Sequence, residues 1–179
     1  MLYGKRIRLR ALERDDLDDL HRWWNTPDLW SQMGSRRRIC GTEELEAWFD
    51  TEADKTSAQE GRTLAIENAE GNLVGTIWYG AYDPGDRQTL VGIYLGEAQN
   101  RGQGLGTDAL MTLLGYLFED LGMHKVRLMV LASNSRGIAC YERCGFVTEG
   151  ILREHRYFAG RHHDFLSMAV LAPEWQPEG

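Results

Sequence analysis

A glycine-rich junction between a strand and a helix constrains this chain most. The segment Asn100–Ala109 reads NRGQGLGTDA and follows an apolar stretch, TLVGIYL, at residues 89–95. Leucines at helical spacing come directly after it, so the segment joins a strand to an amphipathic helix. Another apolar run, at residues 125–131, predicts the next strand. Together these elements indicate a β-α-β crossover, which places two strands in parallel.

The remaining periodicities surround this crossover with hairpins and short helices. Residues 6–12, RIRLRAL, alternate apolar side chains with arginines, which predicts a strand with one buried face. Asp15 or Asp16 can cap the helix that follows, and Thr26-Pro27 should stop that helix. The other predicted elements are a helix near Glu43 to Asp50, a hairpin of strands 63–68 and 73–80, a helix from Asn134 to Cys144, and strands around 146–158 and 163–171 that turn at Ala159-Gly160.

This order of elements predicts a mixed α/β fold rather than a parallel, doubly wound one. It combines antiparallel hairpins with one crossover, so we expect a mixed, mostly antiparallel sheet of about seven strands flanked by about four helices. The chain has 179 residues, with no repeat and no linker-like boundary. That length suits one domain with its own core. We therefore predict a single domain over residues 1–179, with 176–179 as a loose tail.

Composition and charge disfavour several classes of partner. The net charge of −7 argues against nucleic acid and anionic membranes, and weakly favours a cationic small molecule. No run is long enough to span a membrane, and the N-terminus lacks the apolar core of a signal peptide. Cys40, Cys140 and Cys144 are odd in number and suggest no disulfide framework. We expect reduced packing cysteines in a cytoplasmic protein.

The glycines of the junction favour an anion site. A helix begins with unpaired backbone N–H groups and a partial positive charge, and glycines let an anion approach them closely. Arg101 adds a positive charge beside Gly102, Gly104 and Gly106. The same glycines would also suit a tight turn. Three of them with an arginine, directly before a strong helix, favour a phosphate or pyrophosphate.

Two common phosphate loops fit this context poorly. A Walker loop ends in Gly-Lys-Ser/Thr, whereas Gly106-Thr107 lacks the lysine. Residues 104–109 do match the G-x-G-x-x-A pattern of dinucleotide-binding folds, which should begin where its strand ends. Here residues 96–100 lengthen the connection, and the next strand runs into Ala132-Ser133-Asn134 without a carboxylate for a ribose. A nicotinamide cofactor is therefore disfavoured.

The loop and a second segment together resemble a known family. Arg101–Gly106 is similar to the R/Q-x-x-G-x-G/A motif of the GNAT superfamily of N-acetyltransferases, and Asn134–Phe146 resembles that family's second signature. The tail from Glu149 to Met168 is similar to RimJ/RimL-type ribosomal-protein N-acetyltransferases and to spermidine N-acetyltransferases. The resemblance is strong over residues 89–171 and looser before residue 60. It implies a GNAT-like mixed sheet and an enzyme that uses acetyl-CoA and no metal.

The resemblance also implies a role for each part of the site. The glycine loop would bind the pyrophosphate of acetyl-CoA, and Tyr141 would donate a proton or hydrogen bond to the departing thiolate. Asn134 would bind the pantetheine arm as well as cap its helix. The strand before the loop would bulge and splay from its parallel neighbour, and it would supply an N–H for the oxyanion. The implied cofactor-binding residues are Ile93, Tyr94, Leu95, Arg101, Gly102, Gln103, Gly104, Leu105, Gly106, Thr107, Asn134 and Arg143.

The catalytic assignments leave alternatives open. On residues alone, a core tyrosine packed against the sheet is the favoured interpretation of Tyr141, and only the resemblance favours the catalytic role. No general base is assigned, because Glu67, Tyr94, Glu97 and a water molecule are all candidates. No histidine partner is evident for Cys140 or Cys144, so we expect the acceptor amine to attack the thioester directly in a ternary complex. His155, His162 and His163 are expected to be ordinary strand histidines rather than metal ligands.

The acceptor also stays open at this stage. A small-molecule amine, such as a polyamine or an aminoglycoside, and a protein N-terminus are all compatible with the sequence. The pocket should come from the N-terminal helices and the last hairpin, where Trp23, Trp24, Trp30 and Trp48 concentrate. We expect most of these tryptophans to be core residues, with one or two as a wall for the acceptor. Asp28, Glu43 and Glu44 are candidates to attract a cation. Two rival functions remain: a non-catalytic acyl-CoA-binding sensor on the same fold, and a nicotinamide-dependent enzyme. The oligomeric state is also open, and the resemblance allows a homodimer.

Overall fold

An open sheet of eight strands is the centre of the structure, a computed structural model that describes residues 1–55 and 57–177, apart from the side chains of Asp28, Gln32 and Gln59. The strands are β1 (Leu2–Tyr3), β2 (Ile7–Ala11), β3 (Arg62–Asn68), β4 (Leu73–Asp83), β5 (Gln88–Leu95), β6 (Lys125–Leu131), β7 (Val147–Phe158) and β8 (Arg161–Leu171). They lie side by side in the order β1-β2-β3-β4-β5-β6-β8-β7. The predicted mixed, mostly antiparallel sheet is confirmed. It gains β1, which at two residues is too short to give an alternating pattern.

Five α-helices flank the sheet in the described part of the chain. They are α1 (Leu17–Trp24), α2 (Pro27–Gln32), α3 (Thr42–Ala53), α4 (Leu105–Gly115) and α5 (Ser135–Arg143). The prediction was about four helices, and the additional one is α2. Thr26-Pro27 follows the end of α1, as expected, and also begins α2. Pro27 lies in the first turn of α2, where its missing N–H leaves no bond unmade.

The parallel neighbours β5 and β6 pair over only part of their length. Their register joins Gln88 to Lys125, Thr89 to Val126 and Leu90 to Arg127, and it stops there. β5 continues to Leu95 and β6 to Leu131, so the two strands separate toward their carboxyl ends. The expected splay is present. The expected bulge is not seen in the pairing of β5 with β4, whose register runs unbroken from Leu90 to Leu95.

The two faces of the sheet are packed differently. On β2, Ile7 and Leu9 join a large apolar core that includes the buried leucines of α4 and the inward side chains of β6. The intervening Arg8 and Arg10 lie on the other face, because side chains alternate along a strand. A smaller cluster around Leu20 of α1 occupies that second face together with residues of α2 and α3.

A set of hydrogen bonds from backbone N–H groups to one carboxylate connects the N-terminal segment to the start of α4. The Asp108 carboxylate accepts backbone N–H groups from Lys5 at 3.0 Å, Arg6 at 2.6 Å and Ile7 at 3.2 Å. Asp108 lies in the first turn of α4, where a negative charge also suits the helix dipole.

None of the helices in the described ranges is both long and apolar enough to cross a membrane. Of the predicted tail, 176–179, the last two residues lie outside the described part of the chain.

Candidate active site

A cavity of about 340 Å³ opens where β5 and β6 separate. Its walls include the second half of β5 and the end of β6, with the glycine junction and α5 on one side and α2 on the other. The cavity therefore passes through the gap in the sheet. Both faces of the sheet contribute to its lining.

The structure brings most of the predicted site residues together in this cavity. Two predicted residues do not line it, Gln103 and Leu105. The Gln103 side chain donates to the Gln99 carbonyl at 2.7 Å, and its own carbonyl accepts a hydrogen bond from Arg6. The Leu105 side chain is buried in the large core. Those that line the cavity are Ile93, Tyr94, Leu95, Arg101, Gly102, Gly104, Gly106, Thr107, Asn134, Tyr141 and Arg143.

The glycine junction has the backbone conformation of an open helix start. Gly102 and Gly104 have φ angles of +77° and +84°, which favour glycine. Gly104 is the N-cap of α4, and no side chain caps that end. The first N–H groups of α4 have no acceptor within the helix. A Cβ at Gly102 would meet no atom of the described chain within 4 Å, so the space above the loop is open.

Arg101 ties the loop to the end of β5. Its Nε and Nη2 donate to the Leu95 carbonyl at 3.3 and 3.2 Å, and Nη2 also donates to the Gly96 carbonyl at 3.0 Å. The positive charge therefore lies beside the loop, as predicted. These hydrogen bonds to the strand end, which the sequence does not reveal, hold that charge in place.

Asn134 and Tyr141 occupy the start and the middle of α5. The Asn134 side chain caps the helix by accepting the Gly137 N–H at 3.0 Å, which confirms the predicted capping role. The Tyr141 ring contacts Phe146 edge-on, with centroids 6.0 Å apart. Burial raises the pKa of Tyr141 above its ordinary value, so the phenol keeps its proton at neutral pH. A protonated phenol is the form that can donate to a leaving thiolate.

Cys140 of α5 and Cys144, which follows the last residue of that helix, are both free thiols but differ in their surroundings. Cys144 is buried, but Cys140 lines the cavity, with its Sγ 3.3 Å from the Thr107 Oγ1. A hydrogen bond from the Cys144 thiol, supported by the Thr107 hydroxyl, lowers the pKa of Cys140 despite its burial. No histidine lines the cavity among the described residues, and no metal-binding group of His, Cys, Asp or Glu is found there.

The three side chains considered as general bases are all engaged. The Glu67 carboxylate is buried between Arg8 and Arg10, and the Glu97 carboxylate accepts the Trp23 indole N–H at 2.8 Å. Neither lines the cavity. Tyr94 does, but its hydroxyl accepts the Trp24 indole N–H at 2.9 Å. Burial raises its pKa to about 12, so it is not a base at neutral pH.

Most of the N-terminal tryptophans are core residues, as expected, but none of the four lines the cavity, so the one or two expected in the acceptor wall are not there. Trp23 is buried in the smaller core, and Trp24 and Trp48 pack on each other with centroids 4.9 Å apart. Trp78 of β4 lines the cavity instead and lies over Gly92, where a Cβ would come within 2.3 Å of its indole nitrogen. The sequence signal for this residue was the pairing of Trp78 with Gly92 on neighbouring strands, because a glycine leaves space for the indole ring.

The other candidates for the acceptor side lie elsewhere or are not described. Glu43 and Glu44 are exposed in the first turn of α3, and Glu44 pairs with Arg38. The side chain of Asp28 lies outside the described residues. The three histidines pack on aromatic rings of the last hairpin: His155 on Phe165, His162 on Tyr157 and His163 on Phe158.

An open mixed sheet that separates beside a helix start, with a tyrosine in the gap, defines the class of acetyltransferases that take their acyl group from CoA. The chain belongs to the GNAT family, since its residues 6–147 match the family model described as Acetyltransferase (GNAT) domain. It is an acetyl-CoA-dependent N-acetyltransferase that modifies amines.

Three similar proteins illustrate the relationship. The spermidine N(1)-acetyltransferase of Vibrio cholerae serotype O1 is 28% identical over 172 residues, which cover 96% of each chain. The crystal structure of spermidine N-acetyltransferase from Vibrio cholerae in complex with CoA and spermine has a TM-score of 0.85 over 94% of this chain and 96% of that one, at 28% identity. The putative ribosomal N-acetyltransferase YdaF of Bacillus subtilis is 32% identical over 61% of this chain and 59% of its own length.

Proposed function

We propose that this enzyme acetylates a small-molecule primary amine and that Tyr141 is its proton donor. The observation that carries the proposal is the position of Tyr141 in the cavity wall where β5 and β6 separate. The helix start of α4 lies on the same side of the cavity as Tyr141. Apolar side chains line the cavity on the other side. Acetyl-CoA and the acceptor amine can therefore meet in the gap.

The glycine junction is proposed to hold the pyrophosphate of acetyl-CoA. Residues 102–107 offer open space, unpaired N–H groups at a helix start and the fixed charge of Arg101. Arg143 and Asn134 border the same side of the cavity and are proposed to contact the rest of the cofactor. Residues 91–94 of β5 pair with β4 on one side and have no partner strand on the side of β6. The N–H and C=O groups on that open side can bind the pantetheine arm and the oxyanion.

The proposed reaction needs no covalent enzyme intermediate. The amine nitrogen attacks the thioester carbon, the new C–N bond forms, and the C–S bond breaks to leave an amide and CoA. The departing sulfur takes the phenolic proton of Tyr141, and the proton that the amine nitrogen loses replaces it through solvent. Protons therefore balance. A water-mediated path suits this site, because Glu67 and Glu97 are held in other contacts.

Relatives support a small molecule as the acceptor. Among similar proteins are the spermidine acetyltransferase and an aminoglycoside N(6')-acetyltransferase type 1 of Klebsiella pneumoniae, which is 28% identical over 80% of this chain. A protein N-terminus as acceptor and a homodimer in solution stay predictions.

The proposal is tested by measuring release of free CoA thiol from acetyl-CoA with a panel of amines. We expect turnover with at least one small amine, and loss of that turnover when Tyr141 is replaced by Phe. A protein that binds acetyl-CoA and releases no thiol with any amine would be a sensor, which is the outcome that overturns the proposal. Acetylation of ribosomal-protein N-terminal peptides alone would overturn the small-molecule part.

A further inference from the structure

We propose that the acceptor carries a negative charge beside an apolar group, as an apolar α-amino acid does, and that Arg156 binds its carboxylate. This inference rests on the proposed function and specifies its acceptor. It assigns to Arg156 the part of a specificity-determining residue.

Arg156 lies in the cavity wall, held by an aromatic ring. Its guanidinium lies over the Phe165 ring, 5.2 Å from the ring centroid, and both residues line the cavity. Phe165 is itself almost fully buried, so the platform under Arg156 is fixed. The guanidinium keeps its hydrogen-bond donors available, because a cation stacked on a ring uses its face and not its N–H groups.

Arg156 belongs to the acceptor side and not to the cofactor side. Phe165 pairs with Leu131 across β6 and β8, so their side chains share a face of the sheet. On β6 the alternate residues Leu128 and Val130 point into the core against α4, which is the face of the glycine junction. Phe165, and Arg156 above it, therefore lie on the opposite face from the proposed phosphate site.

The charge of Arg156 is not neutralised within the described chain. Arg22 and Arg38 on the same face each pair with a carboxylate, Glu97 and Glu44. No carboxylate of the described residues pairs with Arg156, and none of the described residues that line the cavity is acidic. A polyamine would meet an uncompensated positive charge here. A carboxylate would gain a charge-assisted, bidentate pair.

The neighbours of Arg156 supply the apolar half of the recognition. Met33, Trp78 and Met129 line the cavity and are 36%, 37% and 39% exposed, which is high for large apolar side chains. Exposed apolar groups gathered in a cavity mark a surface that a ligand covers. An acceptor with an apolar side chain on these residues and its carboxylate on Arg156 would direct its α-amino group into the gap.

The bond changes are those of the proposed function. The deprotonated α-amino nitrogen forms the amide bond with the acetyl carbon, and the C–S bond breaks. The sulfur receives the Tyr141 proton, while the carboxylate stays ionised on Arg156 throughout.

The experiment compares matched acceptors. Rates of CoA thiol release are measured with L-phenylalanine, with L-phenylalaninamide, which lacks the carboxylate, and with spermidine. We expect kcat/KM for L-phenylalanine to exceed that of the amide by roughly 10- to 100-fold, the range of a charged hydrogen-bonded pair. Spermidine should be poorer still. Equal or better use of the amide or of spermidine would overturn the inference while leaving the proposed function intact.

Variants assign the preference to one residue. Arg156→Gln should raise KM for L-phenylalanine by roughly 10- to 100-fold, remove most of the preference for L-phenylalanine over its amide, and leave KM for acetyl-CoA unchanged. Arg156→Lys should restore part of the loss. Arg153→Gln is the matched control, since Arg153 is exposed on the same strand and does not line the cavity. An unchanged preference in Arg156→Gln would overturn the assignment. If the unmodified enzyme released no CoA thiol with any amine, the proposed function and this inference would both be overturned.

Discussion

The two faces of the central sheet are built on different principles. On the α4 face, Ile7 and Leu9 of β2 enter an apolar core. On the opposite face, Arg8 and Arg10 of the same strand surround the buried Glu67 carboxylate, and Arg10 also binds Asp16 at 2.7 and 2.8 Å. One face is held by packing, and the other by an ion network and by aromatic rings.

The difference between the two faces corresponds to the two parts of the proposed active site, one for the cofactor and one for the acceptor. The residues proposed to bind the cofactor, in the ranges 101–107 and 134–141, lie on the apolar face, where the core holds their backbone in place. The acceptor side lies on the polar and aromatic face. Its proposed specificity residues, Trp78 and Arg156, are individual side chains that can differ between relatives without changing the core.

The largest expected effect is on the α4 face of the sheet, where the cofactor is proposed to bind. Gly104→Val should abolish CoA binding, because Gly104 has a φ of +84° and its new side chain would occupy the proposed pyrophosphate path. Binding is measured by calorimetry with CoA. Gly122→Val is the matched control, since Gly122 also has a positive φ and open space but lies away from the cavity. Unimpaired affinity in Gly104→Val would show that the loop is only a turn.

The next prediction separates chemistry from binding on that face. Tyr141→Phe should lower turnover by roughly 10²- to 10⁴-fold, the range for removal of a general acid, with the dissociation constant of acetyl-CoA little changed. Single-turnover kinetics and calorimetry measure the two quantities. The ring contact with Phe146 is retained in the variant, so folding should be preserved. Turnover equal to that of the unmodified enzyme would remove Tyr141 from the mechanism.

The ion network of the acceptor face predicts a pH-dependent stability. Burial alone would raise the pKa of Glu67, but hydrogen bonds from Arg10 and Arg8 outweigh it and hold the pKa below its ordinary value of 4.5. A group with a depressed folded pKa stabilises the protein above its unfolded pKa and loses that contribution as the pH falls through the folded pKa. The free energy of unfolding should therefore fall on acidification below about pH 4.5.

Removing the central carboxylate tests the same network. Glu67→Gln should cost about 3 kcal/mol at pH 7, because it leaves two arginines without their buried partner, and it should flatten the acid limb of the stability curve. Urea unfolding at several pH values measures both effects. Glu149→Gln, which breaks the exposed pair with Lys125, should cost less than about 1 kcal/mol. Equal losses in the two variants would contradict a special role for the buried network.

The smallest expected effect concerns the aromatic acceptor wall. Trp78→Ala should raise KM for the acceptor by roughly tenfold, since it removes an exposed ring from the cavity, and leave KM for acetyl-CoA unchanged. Trp78 is partly exposed, so the loss of stability should be small. Steady-state kinetics with each substrate varied in turn measures the split. A rise in KM for acetyl-CoA instead would place Trp78 on the cofactor side.

The sequence predicted the cofactor face better than the acceptor face for a physical reason. The glycine loop and the helix from Asn134 are local patterns, and local patterns specify backbone conformation. The strand and helix order follows from periodicity in the same way. Contacts between distant residues leave no such pattern. Asp108 binds residues 5–7 about a hundred positions away, and Arg10 pairs with Glu67 fifty-seven positions away.

The acceptor wall is the clearest case of this limit. One or two of the four tryptophans near the N-terminus were expected in the wall, yet Trp23 is buried and Trp24 packs on Trp48. The tryptophan that lines the cavity, Trp78, is on a strand whose neighbour has a glycine at the paired position. Arg156 likewise lies over Phe165 of the neighbouring strand, a contact between residues nine positions apart that no local pattern marks.

The short parallel pairing of β5 with β6 makes the sheet two separate halves. Strands β1–β5 form one ladder and β6–β8 another, and the ladders meet over three residue pairs. A cofactor arm with amide groups, lying in the gap, would act as a short ninth strand that connects the halves. Acetyl-CoA would then be part of the architecture as well as a reactant, and the enzyme should resist heat and proteases better with its donor bound.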